Sequence, residues 1–308
     1  MSRKVLASVI VGVFGTAMSL AQTAGPVDPQ VISAVRPLKD AVDKLEAAYA
    51  KPVTYEEPVR VWRGDLKAVG KDENAKFALF PRDRSFRLPV ALGTPEVPAL
   101  DATLVGKILD AYHARNDGVR FQLLTSRYGL HIVPALVNGA DGRLALGGSL
   151  LDTVITIPRE RRMPDGHIQA LSDAVNASSA TKMQAVPNLQ FMEHFAPGGT
   201  VCPSGGPSIA DYPGAPGPPE ACSFEWGAAA VPAREALISL LEQSSTTMTW
   251  KLLCQPSAQP QDRICFLDVE PLVVTAPRAD GRPRRHYLLY DRCTICPPPG
   301  RHLAPIEP

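Results

Sequence analysis

Residues 232–241, PAREALISLL, followed by residues 248–254, MTWKLLC, decide the fold that the sequence predicts. Proline is favoured at the first position of a helix, where its missing N–H is not needed. Leu237, Leu240 and Leu241 then recur at a helical spacing, which predicts one apolar helix face. Residues 248–254 are predicted to form a strand directly after this helix. The pair predicts a helix packed on a sheet.

The same step from a helix to a strand recurs along the chain. Predicted strands begin at residues 53, 119, 183 and 248, a spacing of roughly 65 residues that indicates an internal repeat. We therefore expect an α+β protein made of several small β-α-β-β units, each with a helix on a sheet. The alternative is chance, because any α+β protein of this length alternates helices with strands.

Composition divides the chain into predicted regions. The stretch 197–221 is rich in glycine, proline and serine, and it has too little apolar surface to fold as an element of its own. The predicted regions are a signal peptide (1–21), an N-terminal helix-strand region (22–98), a central α+β region (99–196), the Pro/Gly-rich loop (197–221) and a disulfide-bonded C-terminal α+β region (222–308).

The first residues predict export. A basic Ser2-Arg3-Lys4 segment precedes an apolar run over 5–20, and small residues at 19 and 21 predict cleavage between Ala21 and Gln22. A retained membrane anchor is the alternative, but the run is short for a span and contains two glycines. We expect a secreted or periplasmic protein with no membrane span after cleavage.

The six cysteines all lie in the C-terminal part of the chain. An even number of cysteines in an exported protein indicates disulfides. Many pairings are possible, and proximity along the chain favours Cys202–Cys222, Cys254–Cys265 and Cys293–Cys296. The last pair is a CxxC, for which a redox or zinc role is the alternative. Prolines follow it at once, so no helix N-terminus is available there to stabilise a thiolate.

Overall composition excludes some functions. The net charge is +1, so the chain lacks the basic surface of a nucleic-acid-binding protein. The hydrophobic content of 45% is sufficient for a core, whereas 31 prolines predict short elements joined by long connections.

A family resemblance rests on residues 224–226 (FEW), 231–241 (VPAREALISLL) and 249–252 (TWKL). Together they are similar to the short N-terminal module of secretins and TonB-dependent receptors. That pattern is a strand, a Val-Pro helix start, an apolar helix stripe and a strand that opens on an aromatic residue. The resemblance implies a periplasmic module that contacts other proteins and has no catalytic residues. The chain as a whole is similar to exported bacterial proteins.

Candidate reactive residues do not form a recognised motif. His113, His131 and His194 are not spaced as metal ligands, so a structural or surface role is predicted for each. Ser179 and Lys182 match Ser-x-x-Lys by chance, because the partner motifs are missing. Arginines cluster around a predicted turn at 280–281. The cluster indicates either a surface that binds an acidic or polysaccharide partner, or the tip of an ordinary soluble hairpin.

The sequence therefore predicts a non-catalytic binding or assembly module of the cell envelope, with no cofactor, no metal and no nucleic acid. Its expected partner is an envelope protein or polysaccharide. A secreted hydrolase that uses Glu193 and His194, or another dispersed site, is the alternative. A thiol oxidoreductase based on Cys293 and Cys296 comes third.

Overall fold

The computed structural model describes residues 31–69, 78–92, 98–180, 188–192, 223–243, 247–256, 263–277, 283–288 and 303–305. Several predictions concern residues outside these ranges, namely the signal peptide with its cleavage between Ala21 and Gln22, the loop 197–221, Glu193, His194, Cys202, Cys222, Cys293 and Cys296. The predicted α+β class is confirmed, since helices and sheets both occur. No helix in the described part of the chain is long and apolar enough to cross a bilayer.

The described residues contain four α-helices, each close to a helix that the sequence predicts. Asp101 caps the second of them, because its Oδ1 accepts a hydrogen bond from the N–H of Leu104 at 2.8 Å. The first begins at a proline and ends at Ala50, whose backbone is left-handed with φ 52°. The helices are α1 Pro37–Tyr49, α2 Ala102–His113, α3 Pro164–Ala180 and α4 Ala233–Leu241.

The strands of the described residues are mostly short. They are β1 Val31–Ile32, β2 Val53–Glu56, β3 Leu66–Val69, β4 Ala78–Pro81, β5 Phe86–Arg87, β6 Val119–Thr125, β7 Leu130–Asn138, β8 Leu144–Leu146, β9 Val154–Arg162, β10 Asn188–Met192, β11 Phe224–Pro232, β12 Met248–Gln255, β13 Ile264–Pro271, β14 Val273–Pro277, β15 Pro283–Leu288 and β16 Leu303–Pro305. Two 3-10 turns lie at Arg63–Asp65 and Leu150–Asp152. The strand predicted to start at 183 lies outside the described residues, and the strand described after α3 begins at Asn188.

One sheet runs through the molecule in the order β10-β13-β12-β2-β7-β6, and β8 also pairs with β7. The neighbours β10–β13, β12–β2 and β2–β7 are parallel, whereas β12–β13 and β6–β7 are antiparallel hairpins. Smaller sheets pair β1 with β5, β9 with β11 and β3 with β4. A further sheet joins β14, β15 and β16.

The chain builds one arrangement twice. The first unit is β1-α1-β2 followed by β5-α2-β6-β7, and the second is β9-α3-β10 followed by β11-α4-β12-β13. In each unit the strands before the two helices pair with each other, as β1–β5 and β9–β11. The strand after the first helix pairs in parallel with the second hairpin strand, as β2–β7 and β10–β13. The repeat is therefore a pair of helix-strand steps, about twice the spacing of roughly 65 residues that the sequence suggests.

The strand register is also the same in both units. Val53 and Leu189 correspond, because the N–H of each donates to a side chain near the end of the preceding helix. Their parallel partners, Leu130 in β7 and Cys265 in β13, are therefore equivalent. Their hairpin partners are Thr125 in β6 and Cys254 in β12. Phe121 and Trp250 each lie four residues before these partners, so Phe121 is the counterpart of Trp250. Both aromatic side chains are buried. Chance alternation of helices and strands does not produce this agreement in register.

Side chains near the ends of three helices connect each helix to the strand that follows it. Each accepts a hydrogen bond from a backbone N–H of that strand, which satisfies a donor at the sheet. The pairs are Glu46 with Val53 (2.9 Å), His113 with Phe121 (2.9 Å) and Asn176 with Leu189 (2.7 Å). His113 therefore links α2 to β6. Burial lowers the pKa of this histidine, and Arg120 adds to the effect.

Each unit has its own hydrophobic core. The first core packs α1 and α2 against β2, β6 and β7, and the second packs α3 and α4 against β9, β12 and β13. The two units meet where β12 lies beside β2. Only two residue pairs form there, Lys251 with Tyr55 and Leu252 with Glu56. We call this contact the junction.

Candidate functional site

The disulfide predicted between Cys254 and Cys265 is confirmed. The two residues face each other across the β12–β13 hairpin, with their Cα atoms 4.0 Å apart. This bond closes the loop that follows β12, at the end of the strand that makes the junction. The bond is a structural cross-link of the second unit.

Buried charges reinforce the junction. The ammonium of Lys251 is fully buried and lies 2.5 Å from a carboxylate oxygen of Glu46 in α1. Its Nζ also donates to Thr249 Oγ1 at 3.1 Å, and Thr249 donates to Glu46. Because the cation comes from the second unit and the anion from the first, this pair holds the two units together.

A second ion pair crosses the same junction. Arg234 at the start of α4 donates two hydrogen bonds of 2.7 Å to the two carboxylate oxygens of Glu56. Its remaining nitrogen lies 2.7 Å from Asp152, and the indole N–H of Trp250 donates to Glu56 at 3.3 Å. All of these groups are satisfied by one another, so we assign them to structure rather than to ligand binding.

Glu57 is the third acidic group at the junction. It accepts a hydrogen bond from Arg36 at 2.8 Å and one from the backbone N–H of Cys254 at 2.9 Å. Burial raises the pKa of its carboxyl, and the nearby Arg36 and Arg60 oppose that shift. The described residues contain no group of three or more His, Cys, Asp or Glu that is arranged to hold a metal ion.

His131 lies between this junction and the surface. Its Nδ1 is 2.9 Å from Thr54 Oγ1, its Nε2 is 2.6 Å from Ser126 Oγ, and its ring stacks on Trp250 at 5.1 Å. Burial lowers the pKa of His131 to about 4, and Arg234 adds to the effect. The ring is therefore neutral at pH 7, with one nitrogen donating and the other accepting.

Ser126 is exposed in the turn between β6 and β7. Its Oγ accepts hydrogen bonds from the backbone N–H groups of Tyr128 at 3.0 Å and Gly129 at 3.3 Å. Its own N–H donates to the carbonyl of Gly129 at 3.0 Å. These bonds fix the position of the hydroxyl relative to His131.

A groove with a volume of about 540 Å³ opens beside this turn. It is defined here as the space between the β6–β7 turn, strand β11 and helix α4. Its walls include Ser126 and Arg127 on one side and Glu235 on another, and several of its remaining side chains are small, namely Gly227, Ala228, Ala229, Ala236 and Ser239.

Strand β11 is irregular along the groove. Its pairing with β9 shifts register on either side of Ala228, and Ala230 has a left-handed backbone with φ 51°. Gly227 is required in this place, because a Cβ there would lie 2.7 Å from the Cα of Arg159 and 2.8 Å from the carbonyl oxygen of Ile157. Such bulges interrupt regular pairing and re-aim nearby groups.

The two histidines named from the sequence that the structure describes, His113 and His131, do not converge. His113 is bound to β6 and His131 to the β6–β7 turn, while His194 lies outside the described residues. Sequence reasoning missed Ser126 and Thr54, because neither belongs to a motif and Thr54 is separated from His131 by 77 positions. The folded chain alone brings the three side chains together.

Comparisons with protein-family models, curated proteins and solved structures found no match to this chain.

Proposed function

We propose that the protein is an exported binding or assembly module of the cell envelope, and that the groove holds an extended segment of a partner protein. The observation that carries this proposal is the set of small residues along the groove. A wall rich in alanine leaves room for a peptide backbone to approach β11 closely, which large side chains would prevent. The irregular stretch of β11 contributes to the same wall.

The resemblance to the secretin and TonB-receptor module supports the proposal. The strand, helix and strand of its pattern occur as β11, α4 and β12, in that order. Two of these elements form part of the groove. A module that works through protein contacts needs a surface of this kind rather than a set of reactive groups.

Charges at the groove predict the character of the partner segment. Arg127 forms a bidentate pair with Glu242 at 2.5 and 2.6 Å, so its charge is already matched. The exposed carboxylate of Glu235 lies in the groove wall. We therefore expect a segment with small side chains facing β11 and a basic residue beside Glu235.

A phage library of random dodecapeptides, selected on the purified protein, tests the proposal. We expect enrichment of peptides with small residues and one lysine or arginine. The substitution Ala229→Trp fills the groove and should lower peptide binding at least tenfold. Lys107→Trp on the exposed face of α2 adds the same side chain away from the groove and should leave binding unchanged. Enrichment that Ala229→Trp does not affect, or binding of polysaccharide alone, would contradict the proposal.

A second candidate function is ester hydrolysis, because Ser126 Oγ lies 2.6 Å from His131 Nε2 in the groove wall. A hydroxyl within hydrogen-bond reach of a histidine is the arrangement of an activated nucleophile. Two features weigh against it. The orienting group is the hydroxyl of Thr54 rather than a carboxylate, and the lowered pKa makes His131 a weak base.

Labelling with a fluorophosphonate separates the two functions. A hydrolase would add one phosphonyl group at Ser126, and Ser126→Ala would abolish the addition, whereas Ser33→Ala would not. For the binding module we expect no addition at Ser126.

The thiol oxidoreductase is tested separately by thiol titration of the native protein. Reactive thiols at Cys293 and Cys296 are the positive outcome.

A further inference from the structure

We propose that copies of this chain associate edge to edge, with strand β6 of one copy lying parallel to strand β10 of the next. The contact would repeat, between molecules, the arrangement that β12 and β2 form at the junction within one chain. The proposal does not depend on the groove, so its test is independent of the function proposed above.

The order of strands in the main sheet is the first step of the argument. The junction joins the first hairpin strand of the second unit, β12, to the strand after the first helix of the first unit, β2. The counterpart of β12 is β6, and the counterpart of β2 is β10. These two counterparts are the end strands of the sheet, and within the described ranges each has one neighbouring strand.

The junction shows how little pairing such a contact needs. Lys251 pairs with Tyr55 and Leu252 with Glu56, and the N–H of Glu57 donates to the carbonyl of Leu252 at 2.8 Å. This short contact already makes the sheet continuous across the two units. An unpaired strand edge with a matching register is a template for such a contact.

The common register identifies those residues in β6. Gln122 and Leu123 occupy the positions of Lys251 and Leu252. Gln122 is exposed and Leu123 is only half-buried, so this part of the edge is accessible in the described structure. On β10 the positions that correspond to Tyr55 and Glu56 are Phe191 and Met192. Phe191 and Met192 both pair with β13, whereas Tyr55 pairs with β7 and Glu56 extends beyond that pairing.

Side-chain hydrogen bonds cap one part of β6, and that part lies outside the segment formed by Gln122 and Leu123. His113 accepts the N–H of Phe121, and Arg120 donates to the carbonyl of His113 at 3.1 Å. The counterpart of Phe121 is Trp250, which forms no residue pair with β2 at the junction. The cap therefore leaves the pairing segment of β6 open.

The ion pair of the junction has no charged counterpart at the outer edges. The positions of Lys251 and Glu46 are taken by Gln122 in β6 and Asn176 in α3. Asn176 binds Leu189 as Glu46 binds Val53, which makes the two helix positions equivalent. Two neutral amides replace a buried ion pair, so we expect association between copies to be weaker than the junction and reversible.

The geometry predicts a particular kind of assembly. The edges of β6 and β10 are different surfaces, so the β6 edge of one copy binds the β10 edge of the next. Such head-to-tail contacts generate rings or open filaments rather than closed two-fold dimers. The average mass should therefore continue to rise beyond the dimer as the protein concentration increases.

Sedimentation velocity of the purified protein, from micromolar to millimolar concentration, tests the proposal. We expect species larger than a dimer for the wild type. Gln122→Lys places an unpaired charge at the edge and should weaken association at least tenfold. The double variant Gln122→Lys, Asn176→Glu recreates the ion pair and should restore or exceed wild-type association.

A matched control keeps the charges and moves the lysine. The variant Gln169→Lys, Asn176→Glu has the same net charge, but its lysine lies on the exposed face of α3. It should not show the gain of the double variant. A monomeric wild type at the highest concentration, association that stops at the dimer, or oligomers unchanged by Gln122→Lys would overturn the proposal. Circular dichroism of each variant confirms that the fold is retained.

Discussion

Lys251 and Glu46 show how single residues join the two units. Both side chains are buried, and their ion pair bridges strand β12 and helix α1. Removing two charges from water is costly, and their attraction offsets that cost only while both partners are present. Each residue therefore depends on the other for its place in the core.

Lys251→Met should lower the free energy of unfolding by about 3–5 kcal/mol, because it leaves the buried carboxylate of Glu46 without its cation. Guanidinium denaturation monitored by tryptophan fluorescence measures the change. The control is Lys39→Met, which removes a half-exposed pair with Asp43 and should cost no more than about 1 kcal/mol. A second change, Glu46→Gln, should recover part of the loss. Equal effects of the two lysine substitutions would contradict a special role for the junction.

The lowered pKa of His131 gives a prediction for pH dependence. In the unfolded chain this histidine takes up a proton near pH 6.5, whereas in the folded protein it stays neutral down to about pH 4. The unfolded state therefore binds more protons between these values, so stability falls as the pH falls through that range. The shift corresponds to about 3 kcal/mol.

Comparison with His131→Gln isolates this contribution. Glu57 and Glu270 oppose the trend in the wild type, since burial raises the pKa of both carboxyls and favours the fold at lower pH. Both proteins contain those carboxyls, so their effect cancels in the difference. The unfolding free energy of the wild type minus that of the variant should fall by about 3 kcal/mol between pH 7 and pH 4. A difference that does not vary with pH would refute the assignment.

At the level of single residues, the sequence predicts the disulfide better than it predicts noncovalent contacts between residues that are far apart in the chain. Cys254 and Cys265 were predictable because a short hairpin loop separates them. The contact of Ser126 with His131 spans a turn, but the part played by Thr54 depends on which strand lies beside β7. Strand order is a property of the whole chain, and no local pattern encodes it.

The secondary-structure elements follow the sequence where periodicity is clear. Val105, Ile108, Leu109 and Tyr112 recur at a helical spacing and predict α2, as the leucines of α4 predict that helix. The β-branched run TVITI at 153–157 predicts the beginning of β9. That strand continues through charged residues to Arg162, which the pattern does not predict. The extension exists because β11 pairs with it as far as Arg162 and Phe224. A partner strand can keep a polar segment extended against its own propensity.

Two glycines in different elements should respond oppositely to alanine. Gly106 lies inside α2, and a Cβ there would meet no atom within 4 Å, so Gly106→Ala should stabilise by about 0.5–1 kcal/mol. Gly227→Ala should destabilise by about 1–3 kcal/mol, because its Cβ would collide with the backbone of β9. Thermal unfolding of the two variants measures both effects. Stabilisation by Gly227→Ala would mean that β11 takes another path.

At the scale of the whole molecule, the spacing of predicted elements suggested a repeat, but the pairing inside each repeat was not predictable. Four helix-strand steps permit many sheet orders. The order that forms is selected by contacts between distant residues, such as the bidentate pair of Arg234 with Glu56. Local sequence patterns therefore predict the helices and strands of the duplicated unit, whereas contacts between distant residues determine the order of the strands in the sheet.

The disulfide should stabilise the second unit more than the first. Replacing Cys254 and Cys265 by serine should lower the free energy of unfolding by about 2–4 kcal/mol, because the unfolded chain loses a cross-link. Hydrogen exchange should accelerate first in β12 and β13, with β6 and β7 less affected, since the junction contains only two residue pairs. Equal acceleration in both hairpins would indicate that the two units unfold together.

The long separation between the ion-pair partners has a consequence for synthesis on the ribosome. Lys251 is translated 205 residues after Glu46, and Arg234 is translated 178 residues after Glu56. For that interval we expect Glu46 and Glu56 to remain hydrated beside the β2 edge that later receives β12. Charge along a strand edge discourages pairing with neighbouring chains. We therefore expect the groups that later join the two halves to discourage aggregation of the unfinished polypeptide until its cations have been made.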